Sequence, residues 1–178
     1  MNNYELAKII SMANGIDSRK RIQKTVHLLQ MTGSDFGLDF RLHHYGPYSF
    51  ELADLLDRMT GSGILTETEE STAVGTQYNY SLNPEFATRF EQYETTSRGE
   101  KAKNVLEARQ ELLVKLNHVA PRTLELTSTI AEFRRRNKSW TDATKRAAKF
   151  KGEKPKSTAM VEARKLAEEL VGIPDGED

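Results

Sequence analysis

Two histidines, two tyrosines, a Gly-Pro step and a serine stand together in HHYGPYSFEL, residues 43–52, and several of these types could do chemistry. His43 and His44 could hold a metal ion, but neighbours on an extended strand project to opposite faces and do not readily share one. His27 and His118 stand in no HxxxH or HExxH arrangement. The histidines therefore read as structural, and no metal or other cofactor is expected. Glu51, Asp54 and Asp57 recur every three residues, and neighbouring carboxyls can serve as general acid and base when their surroundings push their pKa values apart. Asp54 has Arg58 as an i,i+4 partner, and the set most simply lines a solvated helix face. Gly61-Ser62-Gly63 has the composition of a phosphate loop but follows a helix and precedes a strand, the reverse of the order that aims backbone N–H groups at phosphate. With no GxSxG, no P-loop and no recognisable triad in the sequence, an enzyme is not expected.

The elements that position these residues follow from periodicity. Leu6, Ile9, Ile10 and Ala13 repeat at helical spacing, with Gly15 placed to end the helix,. Asp17 or Ser18 can cap a second helix that carries Ile22, Val26 and Leu29 and closes at Gly33,. From Leu38 the period changes to alternation, Leu38, Phe40, Leu42 and His44 against Asp39, Arg41, His43 and Tyr45, which predicts a half-buried strand stopped by Gly46 and Pro47,. Ser49 is then the N-cap of a third helix with Leu52, Leu55, Leu56 and Met59 facing inward,. Two strand-like runs, Ile64–Glu67 and Gln77–Leu82, predict a hairpin,. The second half reads as helices: one through Ala102, Val105, Arg109, Leu112 and Leu116, in which the arginine interrupts the stripe and which Pro121 breaks; then three more carrying Leu126, Trp140 and Met160, the last two capped by Ser139 and Ser157,.

The fold class expected is mainly α with a small β component: a winged-helix-like core over residues 1–97, a helical extension over 98–172 packed on it, and a disordered tail at 173–178. The 178 residues can bury a core, and 37% hydrophobic against 29% charged content fits a soluble protein,. No apolar run approaches the roughly 20 residues needed to span a bilayer, and MNNYELAKII lacks the parts of a secretory signal,. No membrane association is expected. The absence of cysteine rules out disulfides, zinc-thiolate sites and thiol catalysis, and fits a reducing cytoplasm,.

Charge is balanced overall but divided unevenly. Residues 1–97 hold eight Lys and Arg against 13 Asp and Glu; residues 98–178 hold 18 against 13. Ten basic residues fall between Arg134 and Lys156 with only Asp142 and Glu153 to oppose them, a stretch that can bind phosphates or an acidic protein, or simply form a solvated helix face. Winged helices often place their third helix in the major groove, yet SFELADLLDRM offers three acids and one base. A nucleic-acid reading would use Arg19, Lys20, Arg21 and Lys24 on the second helix, or the basic stretch 134–156 with Arg134, Arg135, Arg136 and Lys138, to grip a backbone, with strong salt dependence.

RKRIQKTVHLLQ, then a short strand into YGPYSFELADLL, then GSGIL and a hairpin, resembles the YwgA-like family, itself related to the SocA and Panacea antitoxin domains. LELTSTIAEF, the Trp-led helix and Lys154-Pro155-Lys156 are similar to that family's helical tail. The resemblance implies a bacterial, archaeal or phage protein that acts through protein contacts, in some relatives by neutralising a toxin, and it brings no catalytic residues. Tyr45, Gly46, Pro47, Tyr48 and Ser49 match the family's signature, and their implied role is architectural. The function expected is a non-enzymatic interaction module with a protein partner, a toxin or regulatory target. Tyr45, Tyr48, Glu51, Asp54 and Asp57 are its candidate contacts, with DNA-binding regulation as the alternative.

Overall fold

The computed structural model describes residues 1–72, 75–136 and 139–172, and among these the protein is mainly helical with a minor β component. The expected tail at 173–178 lies outside the described residues, as does Lys138. Helix α1 (Asn3–Met12) opens on a capping box in which Asn2 and Glu5 each accept from the other's backbone N–H,. A two-residue strand, β1 (Ile16–Asp17), leads to α2 (Arg19–Met31), whose N-cap is Ser18. The hairpin β2 (Arg41–His43) and β3 (Gly46–Tyr48) delivers the chain to Ser49, which caps α3 (Phe50–Gly61). Strands β4 (Leu65–Thr72) and β5 (Gly75–Leu82) pair antiparallel, and β1 joins the other edge of β5, giving the order β1-β5-β4.

Six described helices follow a short 3₁₀ turn at Pro84–Phe86: α4 (Ala87–Glu94), α5 (Ser97–Glu107), α6 (Gln110–His118), α7 (Pro121–Arg135), α8 (Trp140–Lys151) and α9 (Thr158–Val171). One apolar cluster gathers Leu6, Ile22, Leu52, Leu56, Leu65 and Tyr80 from α1, α2, α3 and the sheet, and it runs on past residue 97 to take in Leu106 and Leu113. A second joins α7, α8 and α9 through Ile130, Trp140 and Met160. Leu28 of α2 meets Leu116, Leu124 and Ala131 in a third, so α7 buries two faces and ties the helical region to the rest.

Two expected elements differ in the structure, and one element is additional. The strand predicted from Leu38 is regular only at Arg41–His43, and Gly46-Pro47 forms the returning strand rather than a stop, with His44 and Tyr45 at the turn. The reason is a side chain. Gln30 donates to the Leu38 carbonyl at 2.9 Å and accepts from the Leu38 N–H at 3.1 Å, satisfying the backbone groups that would otherwise call for a strand partner. The single helix expected through Arg109 is two, because the chain breaks at Ala108–Arg109 and the Arg109 guanidinium donates to the Thr32 carbonyl at the end of α2 (2.7 Å). Strand β1, pairing Ile16 with Tyr80 and Asp17 with Asn79, is too short to show a period and was not expected.

Candidate functional site: an aromatic groove on a braced joint

The HHYGPYS segment forms one wall of a groove of about 330 Å³ whose other walls are α2 and α3. Ile22, Leu52 and Leu56 supply aliphatic surface, and Tyr45, Tyr48 and Phe50 supply the aromatic surface. Phe50 is 65% and Tyr45 47% exposed. The rings are ordered against one another: Tyr48 meets Phe50 edge-on with centroids 5.1 Å apart, and His43 lies 5.6 Å from Tyr48,. Lys20 holds its ammonium 3.8 Å above the Tyr45 ring, a cation–π contact.

What fixes this wall is a set of polar clamps behind it. Gln23 on α2 donates to the Ser49 carbonyl and accepts from the Ser49 N–H, both at 2.9 Å. Gln23 and Gln30 lie seven residues apart, on one face of the helix, and together clasp the two ends of the hairpin segment. Lys24, buried between α2 and the hairpin, donates to the Pro47 carbonyl at 2.5 Å. Burial pushes its ammonium down to about 8, against the opposing pull of Glu125,. Lys151 of α8 pairs with Glu125 and donates to the His44 carbonyl at 3.1 Å. Gly46 has φ +89°, and a Cβ there would stand 2.6 Å from Thr129 Oγ1, so glycine is required by both conformation and the approach of α7.

The sequence candidates divide sharply in this setting. Tyr45 and Tyr48 line the groove; Glu51, Asp54 and Asp57 lie instead on the exposed side of α3. Glu51 accepts from the Asp39 N–H at 3.2 Å, and Asp57 pairs with Arg19. Of the basic candidates, Arg19 is shared between Asp57 and Glu67. Arg21 is buried, pairs with Asp17 and donates to the carbonyls of Leu116 and Val119 at 3.2 and 2.8 Å, where α6 ends. Arg134 sits over the Trp140 ring at 5.4 Å, and Arg135 and Arg136 both bind Glu132, at 2.9 and 2.6 Å. Lys145, Arg146 and Lys149 remain on the exposed side of α8. Phe50 is not among the sequence candidates, and His43 is weighed there only as a metal ligand. Phe50 carried a signal, an aromatic off the inward stripe of its helix.

A Ser-His-acid chain that no local motif announces crosses the core. Ser128 Oγ lies 2.9 Å from His27 Nδ1, and His27 Nε2 lies 3.3 Å from Glu132. Burial pushes the His27 imidazole below its usual value and outweighs the carboxylate. A neutral ring with the proton on Nε2 donates to Glu132 and accepts the Ser128 hydroxyl. Burial alone would raise the Glu132 carboxyl, but hydrogen bonds from His27 and Arg135 outweigh it and leave it at about 2,. Ser128, His27 and Glu132 are all sealed from solvent, so a substrate has no route to the hydroxyl and the chain acts as a brace between α2 and α7. His44 packs edge-on against Tyr45 at 5.0 Å, and among the described residues no group of three or more His, Asp or Glu is placed to hold a metal ion. No described helix is long and apolar enough to cross a membrane.

Over 78 residues the chain is 33% identical to an uncharacterised protein, YwgA, of Bacillus subtilis (strain 168), a match covering 44% of this chain and 47% of that relative. The match therefore spans about half the length of the relative and indicates a distant relation. No protein-family model matches the chain.

Proposed function

We propose that the protein is a non-enzymatic interaction module of a prokaryote or phage, acting in the cytoplasm on a protein partner as a regulator or antitoxin-like neutraliser. In this reading residues 1–97 are a winged-helix-type unit of the kind found in SocA and Panacea domains, and 98–172 are a helical extension. The order α1, β1, α2, α3, β4, β5 with a β1-β5-β4 sheet supports it, the β2–β3 hairpin being an insertion before α3. The observation that carries the reading is the outward side of α3, where Glu51, Asp54 and Asp57 are exposed. Duplex DNA presents one negative charge per roughly 1.7 Å of axis, and a reader helix bearing three carboxylates would be repelled from it. The burial of Ser128 supports the non-enzymatic part. Affinity purification from the native host followed by mass spectrometry tests the reading: a stoichiometric partner is expected, and its absence under several conditions would sink the idea.

DNA-binding regulation is the competing reading, and the exposed Lys145, Arg146 and Lys149 of α8 favour it. Salt-sensitive retardation of the gene's upstream DNA, abolished by Lys145→Glu with Lys149→Glu, would replace the first reading with this one.

A further inference from the structure

We propose that the groove between α2, β3 and α3 receives a short acidic segment of a protein partner, which inserts an apolar side chain among Tyr45, Tyr48 and Phe50 and sets its carboxylates against Lys20. The inference rests on the interaction-module reading and narrows it to the chemistry of the partner.

Shape comes first. A volume of about 330 Å³ is at the small end of ligand pockets, which run from about 300 to 1,000 Å³, and suits side chains rather than a folded surface. Phe50 and Tyr45 keep much of their ring area in water, and covering that area is a hydrophobic gain. The rim is also rigid, since Tyr48 stacks edge-on to Phe50 and the hairpin is clamped by Gln23 and Lys24. Binding there orders little that is not already ordered.

Charge then selects the occupant. Among the described residues every ion that lines the groove is a cation, Arg19, Lys20 and Lys24, and none is a carboxylate. The three are not equivalent. Arg19 is occupied by Asp57 and Glu67, and Lys24 is buried against the Pro47 carbonyl. Lys20 is exposed, and its cation–π contact with Tyr45 at 3.8 Å is weak enough at such a site to yield to a carboxylate. On the far side the exposed Glu51 and Asp54 of α3 turn anions away, so the acids of the segment must face α2. A basic segment would set its cations against Lys20. DNA would bring phosphates to Glu51 and Asp54 and has no aliphatic side chain for the floor.

The test is amide NMR of the full chain titrated with three synthetic peptides: Glu-Asp-Phe-Leu-Asp-Glu, the same peptide with every acid replaced by lysine, and the same peptide with Phe-Leu replaced by Gly-Ser. The first is expected to shift the amides of Lys20, Tyr45, Tyr48 and Phe50, while the other two leave them unmoved at equal concentration. Lys20→Glu and Phe50→Ala, both at exposed positions, should each weaken binding by at least about tenfold without changing the melting temperature. Equal binding of the lysine peptide, shifts outside the groove, displacement of the peptide by a short DNA duplex, or no binding at millimolar peptide would each overturn the inference. Co-purification separates this failure from that of the broader reading. A partner retained equally by wild type, Lys20→Glu and Phe50→Ala removes the groove alone, whereas no partner at all removes the interaction module.

Discussion

Helix α2 has two polar regions that the sequence makes look alike and the structure treats in opposite ways. Toward its N-terminus, Arg19 and Lys20 are exposed, one in surface ion pairs and one stacked on a tyrosine. Farther along, Gln23, Lys24 and His27 are buried and matched to partners within the chain: Ser49 for Gln23, the Pro47 carbonyl for Lys24, and Ser128 and Glu132 for His27. The difference teaches that a basic or polar residue contributes either to holding the molecule or to meeting another one, according to whether its partner is already inside the chain. Polar groups shielded from water lose far more when a partner is removed than exposed ones do.

That contrast can be broken from its strongest end. Glu132→Ala should lower the free energy of unfolding by about 3–5 kcal/mol, because it leaves the buried His27 without its acceptor and two guanidinium groups without their carboxylate,. Urea denaturation measures it, and a loss under about 1 kcal/mol would put the buried brace on a level with surface pairs. Gly46→Ala should cost about 2–3 kcal/mol, combining left-handed backbone strain with the clash against Thr129 Oγ1,. The double variant with Thr129→Ala should recover part of that loss, and simple additivity would argue against the contact.

The same seam predicts how stability depends on pH. The folded pKa of His27 and that of Glu132 both lie below their unfolded values, so the unfolded chain binds more protons as pH falls. The His27 contribution is complete above about 6.5 and is lost as pH drops through its lowered folded value. The Glu132 contribution is complete above the ordinary glutamate value of about 4.3 and is lost on the way to about 2. Denaturation series from pH 8 to pH 3 should show wild type weakening below 6.5, and His27→Gln should lack that upper step. A wild type of constant stability between pH 7 and pH 5 would contradict the neutral imidazole. At the weak end, Asp57→Asn breaks a pair whose two members are half exposed and should change stability by no more than about 0.2–1 kcal/mol. Phe50→Ala should stay within about 0.5 kcal/mol, and a larger loss would mean that the ring belongs to the core.

Much of the local architecture could be read from the chain. Ser49, Ser139 and Ser157 cap α3, α8 and α9, and Gly152 ends α8 in the left-handed conformation, because caps depend on a few adjacent residues. The inward stripe of α3 is Leu52, Leu55, Leu56 and Met59, as its spacing requires. The helix break at Arg109 and the irregular stretch at Leu38 were misread, since their causes, Thr32 and Gln30, lie on another element. Of the candidate contacts, Tyr45 and Tyr48 come together at the groove, while the α3 acids are exposed and do not line it. Adjacency in sequence could not separate them.

By itself the sequence determined which segments form helices, where most begin and end, and that α3 carries acids on its outer side, because these follow from residue type and a period of 3.6. Only the tertiary structure decided which charges are available. His27 and Glu132 are 105 positions apart, and Lys151 reaches the His44 carbonyl from the far end of the chain. Pairing of this kind depends on the packing of α7 and α8 against α2 and the hairpin, and no local pattern encodes a distance across a core.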